Sequence, residues 1–321
     1  DPSRLRCNFM EGHEVHGDGR HLLDEPAGVP GSRQHPERVP EGLLPADEHE
    51  AFRAAPAQDR GEDGVRVARN AGFCFGVRRA LRIADEAAVS GGTIYMFGEL
   101  VHNEDVLRDI RRKGIRRIWR LTKGGGRRIL LVCAHGVPSA VVRKAVEMGY
   151  RVIDATCPMV RHIHGVAVEM EKQGRRVVIV GDRNHDEVKG IAGELKHGAI
   201  VVENEADIPL RRLRLTRKVG VIAQSTQDAA RVRRVVAAVR RISGDVEFSN
   251  TICAPTGRKQ TEIMRLARGC DMVIIIGSRK SANTRRLFEI SKALNPRTRW
   301  IGSVADIRRE WLKGIRTVGV G

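Results

Sequence analysis

Aromatic residues are scarce. Phe, Trp and Tyr make up 4% of the 321 residues. Any core must therefore be built from Val, Ile, Leu and Ala, within a hydrophobic fraction of 41% that suffices for packed domains. No aromatic-rich RNA-binding sheet motif is present. No run of about 18 apolar residues occurs, so no transmembrane helix is expected. The N-terminal stretch DPSRLRCNFMEGHEVHG lacks the apolar centre of a signal peptide. The six cysteines are irregularly and widely spaced, unlike a disulfide framework, and the paired C-x-x-C of zinc hairpins is absent. In a reducing cytoplasm, the expected compartment, such thiols are free, metal-bound or catalytic.

Positive charge is abundant: 57 Lys+Arg against 39 Asp+Glu give a net +18. That balance attracts anions, whether nucleic acid, membrane surface, acidic protein or phosphorylated small molecule. The basic residues are scattered rather than clustered, which argues against nucleic acid. The length allows two ordinary domains or three small ones.

Residues 1–65 differ from the rest. HGDGRHLLDEPAGVPGSRQHPERVPEGLLPADEHE is rich in Pro, Gly, Asp, Arg and His and has no sustained apolar period. It buries too little apolar surface to offset its ordering entropy, and a disordered extension is expected. Cys7, His13, His16, His21 and His35 lie in it and are read as a solvated tail rather than a metal site.

From Val65 onward, short β-branched runs alternate with polar turns and helix-like segments. Strand Ile129–Cys133 leads into turn 134–138, and strand Val177–Val180 into turn 181–184. KVGVIAQSTQDAARVRRVVAAVRRI and DMVIIIGSRKSANTRRLFEISKAL repeat the pattern. Continuous apolar strands alternating with helices imply parallel sheets covered on both faces, an α/β architecture. Ligands in such sheets bind beyond the carboxyl ends of the strands.

The turns there offer His102, His135, His185, Glu187, Ser225, Thr226, Ser281 and Asn283. Taken singly, the hydroxyls and the amide read as helix N-caps, each histidine as a structural hydrogen-bonder, and Glu187 as a first-turn glutamate. As a set at the functional end of one α/β unit they favour a phosphorylated ligand. Beside imidazoles, Glu187 is also a candidate proton donor.

Cys74, Cys157 and Cys253 each stand in a turn just before a helix-like run, 83 and 96 residues apart. Near-equal separations put each thiol at the same place of a repeated unit, converging on an axis. Three such thiolates suit either zinc or an iron–sulfur cluster with one position open. Cys133 and Cys270 read as small buried hydrophobes.

Taken in order, NAGFCFGVRRAL, LVHN, AHGV, DATCP, NHDEV, AQST, NTIC and GSRKSANTRRL resemble the LytB/IspH family of hydroxymethylbutenyl diphosphate reductases, from about Val67 to Gly321. The resemblance implies a trefoil of three similar α/β domains around a central [4Fe–4S] cluster. It places them at 66–157 (with a first strand, about 66–75, packing with the third domain), 158–249 and 250–321. It implies Cys74, Cys157 and Cys253 as cluster ligands, leaving one iron open. His102, His135, His185, Ser225, Thr226, Ser281 and Asn283 would line the substrate pocket, and Glu187 would deliver the proton that removes hydroxyl as water. The implied partners are a diphosphate substrate and a ferredoxin or flavodoxin donor, with no nucleic acid or membrane. Against the family pattern, Ser225 stands for threonine, Asp186 for proline and Ala282 for a second serine. The chain also stops at TVGVG, short of a Gly-Ala-Ser-rich turn and closing helix, so a truncated third domain is expected. Two other readings of the same residues are a zinc-stabilised phosphate-binding module and a basic nucleic-acid-binding protein.

Overall fold

The computed structural model describes residues 64–123 and 126–321. The expected disordered extension and its Cys7 and histidines lie outside the described residues, except that Gly64 and Val65 belong to a strand.

In chain order, β1 (Gly64–Val67) and α1 (Phe75–Ala88) lead into the first repeat. That repeat is β2 (Thr93–Phe97), α2 (Glu104–Arg112), β3 (Arg116–Ile118), β4 (Arg128–Val132), α3 (Ser139–Glu147), β5 (Arg151–Asp154) and α4 (Pro158–Lys172). The second is β6 (Arg176–Val180), α5 (Asp186–Ala192), β7 (Ile200–Val202), α6 (Leu210–Arg214), β8 (Lys218–Ala223), α7 (Ala229–Arg240), β9 (Asp245–Phe248) and α8 (Ala254–Gly269). The third is β10 (Met272–Ile276), α9 (Ala282–Leu294), β11 (Thr298–Ile301) and β12 (Thr317–Val320).

These strands form three four-stranded sheets, parallel throughout, ordered β3-β2-β4-β5, β7-β6-β8-β9 and β11-β10-β12-β1. The order is the same each time. In the third sheet, however, the last place is filled by β1, pairing Gly64 with Thr317 and Val67 with Val320. The trefoil α/β architecture expected from the resemblance is thus present, each sheet a small α/β unit.

Burial follows strand position. Every residue of β4 (RILLV) is buried, as are five of six in β8, whereas the edge strands β1, β5 and β9 contain no buried residue. Central strands of helix-covered parallel sheets need apolar residues on both faces, which explains the unbroken Val/Ile/Leu runs. The helices complete the cores with one stripe each: Ala80, Ala84 and Ala87 on α1, and Val106, Leu107 and Ile110 on α2. Small alanines let α1 approach the first sheet closely.

Two strand bounds differ from the sequence reading. The strand expected over about 66–75 stops at Val67, because Gly72 turns with φ +84° and the Asn70 amides donate to Glu262 instead of a strand neighbour. Cys133 follows its strand rather than ending it, and it is buried, as is Cys270 at the end of α8. No helix among the described residues is long and apolar enough to cross a membrane.

Candidate active site

Each thiol stands at the same point of its sheet. Cys74, Cys157 and Cys253 follow the edge strands β1, β5 and β9 and are the N-cap residues of α1, α4 and α8. None caps its helix with its side chain. All three line one cavity of about 690 Å³.

A glycine clears the space beside two of the sulfurs. A Cβ at Gly76 would lie 2.5 Å from Cys157 Sγ and 3.9 Å from Cys74 Sγ, so only glycine permits this approach. Cys253 Sγ is 3.0 Å from Thr256 Oγ1. Burial pushes the Cys157 and Cys253 thiols up, and the thiol of Cys74 acts in the same direction on both. Three like groups collected without a counter-cation disfavour thiolate, which a metal cation reverses. Three thiols with a glycine cleared beside them fit an iron–sulfur cluster with one position not filled by cysteine.

The second-placed strand of each sheet supplies the polar wall. After β2 comes His102, after β6 the N-cap His185, and after β10 the N-cap Ser281. The turn after β4 adds His135, and that after β8 adds Ser225 and Thr226. The rings of His102 and His135 stack with centroids 4.3 Å apart, and His185 meets them edge-on at 5.0 and 5.2 Å. A nitrogen of each lies within 4.8 Å of the others, so these imidazoles form a second set able to hold an ion.

Their electrostatics set their charge. Burial, and then the neighbouring imidazoles, pull His135 well below the ordinary histidine range, and burial pulls His185 down to about 4. Both are neutral near pH 7. His135 Nδ1 is buried with no hydrogen-bond partner among the described residues. A buried polar atom left unpaired at a cavity wall is a ready contact for a ligand.

Glu187, in the first turn of α5, is 1% exposed. Its carboxyl accepts from Ser225 N at 2.6 Å and from Ser225 Oγ at 2.7 Å. Those bonds favour the carboxylate, but burial outweighs them and pushes Glu187 above its ordinary range. An acid whose proton affinity is raised by burial therefore stands beside neutral imidazoles.

All eleven residues singled out in the sequence line this one cavity. Of the four read as possible N-caps, only Ser281 caps its helix, accepting from Thr284 N at 3.2 Å. Ser225 holds Glu187, and Thr226 Oγ1 accepts from Gln224 Nε2 at 3.1 Å. The sequence reading missed Glu99, which lies 3.2 Å from His102 Nδ1 and is itself bonded by Arg117. It also missed Thr256 and Lys259, on the helix begun by Cys253. Lys259 donates to Gly72 O, and its field reaches Cys74 and Cys253. A hydroxyl three residues beyond a helix-starting cysteine was the available signal for Thr256. Glu99 had none.

The sequence pattern of the LytB protein family fits residues 65–321. The chain belongs to the LytB family. Among its curated relatives, the 4-hydroxy-3-methylbut-2-enyl diphosphate reductase of Pelobacter propionicus is 36% identical over 80% of this chain and 90% of its own. The enzyme of that name from Aquifex aeolicus is 37% identical over 79% and 88%. A solved (E)-4-hydroxy-3-methyl-but-2-enyl diphosphate reductase, described as the terminal enzyme of the non-mevalonate pathway, matches with TM-score 0.59 at 36% identity. It covers 80% of this chain and 92% of that one. The Plasmodium falciparum E-1-hydroxy-2-methyl-but-2-enyl-4-diphosphate reductase matches with TM-score 0.74 at 26% identity, over 81% and 83%. Within the LytB family, then, this chain shares both the sequence and the three-sheet plan of the diphosphate reductases.

Proposed function

We propose that this LytB-family chain reduces 4-hydroxy-3-methylbut-2-enyl diphosphate to isopentenyl and dimethylallyl diphosphates, the last step of the non-mevalonate route to isoprenoid precursors. One observation carries the reading: three thiols, one from the edge strand of each sheet, meet at a cavity that also holds three imidazoles and a buried acid. The balance is R–OH + 2e⁻ + 2H⁺ → R–H + H₂O, in which the allylic C–O bond breaks and a C–H bond forms.

Cys74, Cys157 and Cys253 would hold a [4Fe–4S] cluster, which when bound supplies the two electrons one at a time. His102 and His135, with Ser281 and Asn283, grip the diphosphate, and His185, whose ring accepts from Glu187 N–H, lies near the reacting alcohol. Ser225 and Thr226 present hydroxyls to the organic part. Glu187, whose hold on its proton is strengthened by burial, gives that proton to the departing hydroxyl so that water rather than hydroxide leaves.

We take the domains to be divided near 157 and 249, with β1 serving the third. The electron donor is read as a small acidic ferredoxin or flavodoxin, drawn by the +18 charge. Phe73 and Phe75, 42% and 63% exposed on either side of Cys74, give such a partner an apolar foothold. The reading places the reaction in a reducing cytoplasm, and it assigns the basic surface to substrate and donor rather than nucleic acid.

The test is anaerobic reconstitution, iron and sulfide analysis, and turnover with a one-electron reductant. About four irons per chain and formation of both products support the reading. Stoichiometric zinc, or a fully loaded protein that leaves the substrate untouched, overturns it.

A further inference from the structure

His164 does not line the cavity, and nothing in the reaction as derived uses it. It stands on α4, seven residues or about two turns beyond Cys157. Its side chain is 12% exposed and held at one end: Nδ1 is 3.2 Å from Glu194 Oε1. Glu194 also accepts from the N–H and hydroxyl of Ser139, both at 2.8 Å. A carboxylate acceptor places the ring hydrogen on Nδ1, which leaves Nε2 as a bare lone pair. That Nε2 is buried and has no hydrogen-bond partner among the described residues.

What faces Nε2 is two glycines. A Cβ at Gly136 would lie 3.3 Å from Nε2, and one at Gly190 would lie 3.4 Å from it. Gly136 directly follows His135, and Gly190 is one helical turn beyond Glu187. The imidazole thus packs edge-on against two backbones, one carrying a proposed diphosphate ligand and the other the proposed proton donor. These backbones belong to different sheets. A second contact closes the same seam, since a Cβ at Gly193 would lie 2.5 Å from Pro138 Cγ.

An apolar filler could occupy this space, but nothing would fix its orientation. Here Glu194 fixes the ring, and its Nε2–Cε1 edge fills the space that the two glycines leave open. Burial also pulls His164 below its ordinary range despite Glu194, which disfavours a charge on the ring where it faces the two glycine backbones.

We infer that His164 is a positioning residue, an oriented spacer that holds the His135 turn of the first sheet at a fixed separation from the Glu187 helix of the second. The inference rests on the reductase reading for what those residues do, but not for the geometry. The two grips on the substrate, diphosphate at one end and hydroxyl at the other, are registered through this ring.

The test uses the cluster-loaded full chain with His164→Leu and His164→Asn. Asparagine keeps a donor at the Nδ1 place and leucine only bulk. Turnover should fall at least about tenfold in His164→Leu at unchanged iron content, since misplacement by about 1 Å can cost ~10²-fold. His164→Asn should recover most of it. Calorimetric affinity for inorganic pyrophosphate, which needs no turnover, should weaken in His164→Leu and return in His164→Asn. Wild-type turnover and pyrophosphate affinity in His164→Leu would overturn the inference. So would His164→Asn and His164→Leu losing activity equally, in step with their melting temperatures, the mark of a packing residue alone. A wild-type protein that binds pyrophosphate but does not reduce the substrate sinks the reductase reading instead, and the pyrophosphate comparison still decides on His164.

Discussion

Replacing Glu187 by glutamine separates the proton from the packing. The carboxyl is buried and accepts two bonds from Ser225, at 2.6 and 2.7 Å. A glutamine oxygen can still accept from Ser225 N–H, and its amide can donate to Ser225 Oγ, so volume and bond count survive. The stability change should stay near about 1 kcal/mol, the worth of one rearranged neutral hydrogen bond. Alanine would instead leave the Ser225 N–H buried without an acceptor, costing about 1–3 kcal/mol before any cavity is counted. Losing a positioned general acid typically lowers rate by 10²–10⁴, or about 3–5 kcal/mol of barrier, far above the stability effect. The sign with pH is fixed by burial. Because Glu187 is pushed up, it holds its proton above the ordinary glutamate value of about 4.3. Turnover that needs this proton is flat at low pH and declines as pH rises through the raised value, and the decline should be absent in Glu187→Gln. Stability follows the same window. Above about 4.3 the unfolded glutamate ionises while the folded one does not, so the wild type loses stability relative to the glutamine variant until the folded value is passed. The assays are steady-state turnover against pH on iron-matched protein, and urea unfolding at the same pH values. Turnover within threefold of wild type, or a basic limb that persists, would refute the assignment.

Gly76→Ala should expel the cluster, because the new methyl would lie 2.5 Å from Cys157 Sγ. Iron content is the measurement; full loading contradicts the clearance argument, and the overpacking should cost the metal-free chain about 1–3 kcal/mol. Diphosphate binding should take up protons near pH 7, since His135 and His185 are neutral beforehand and an adjacent anion favours their charged forms. Calorimetry in buffers of different ionisation enthalpy reads the uptake, and a buffer-independent heat counts against it. Arg286, 4% exposed, pairs with Asp182 and with Glu289 at 2.9 Å. Arg286→Leu should cost about 3–5 kcal/mol in urea unfolding by stranding Asp182, and a loss below about 1 kcal/mol would mean water reaches that carboxylate.

The parallel sheets were legible because their central strands must be apolar on both faces, and β4, β6, β8 and β10 advertise this in sequence. The pairing of β1 with the third sheet came only from the family resemblance, not from any local pattern. Gly64 meets Thr317 across nearly the whole described chain, and short edge strands with no buried residue carry no local mark of their neighbour. The cysteine spacing pointed to a repeat, but not to the fact that Cys74 reports for the third sheet rather than the first. Glu187 was visible as a first-turn glutamate and a candidate proton donor; that it is buried against Ser225 depends on two turns 38 residues apart. Glu99, Lys259 and His164 act through neighbours that only folding supplies. A carboxylate behind a histidine or a ring between two glycines has no sequence signature.

The repeat explains which parts of the site are alike and which are not. In each sheet the edge strand ends in a cysteine that starts a helix, so three equivalent positions offer three equivalent ligands, as a compact cluster requires. The turns after β2, β6 and β10 also correspond, each starting with a glycine and ending in an N-cap, yet the caps are Asn103, His185 and Ser281. At the second helical position they carry Asp105, Glu187 and Asn283. Only the middle one is an acid buried against a serine, and burial there strengthens its hold on a proton. A diphosphate ester has two different ends, so a threefold site cannot tell hydroxyl from phosphate. The thiols keep the symmetry while these three turns break it, so a means of telling the two ends apart has to come from the turns and not from the thiols.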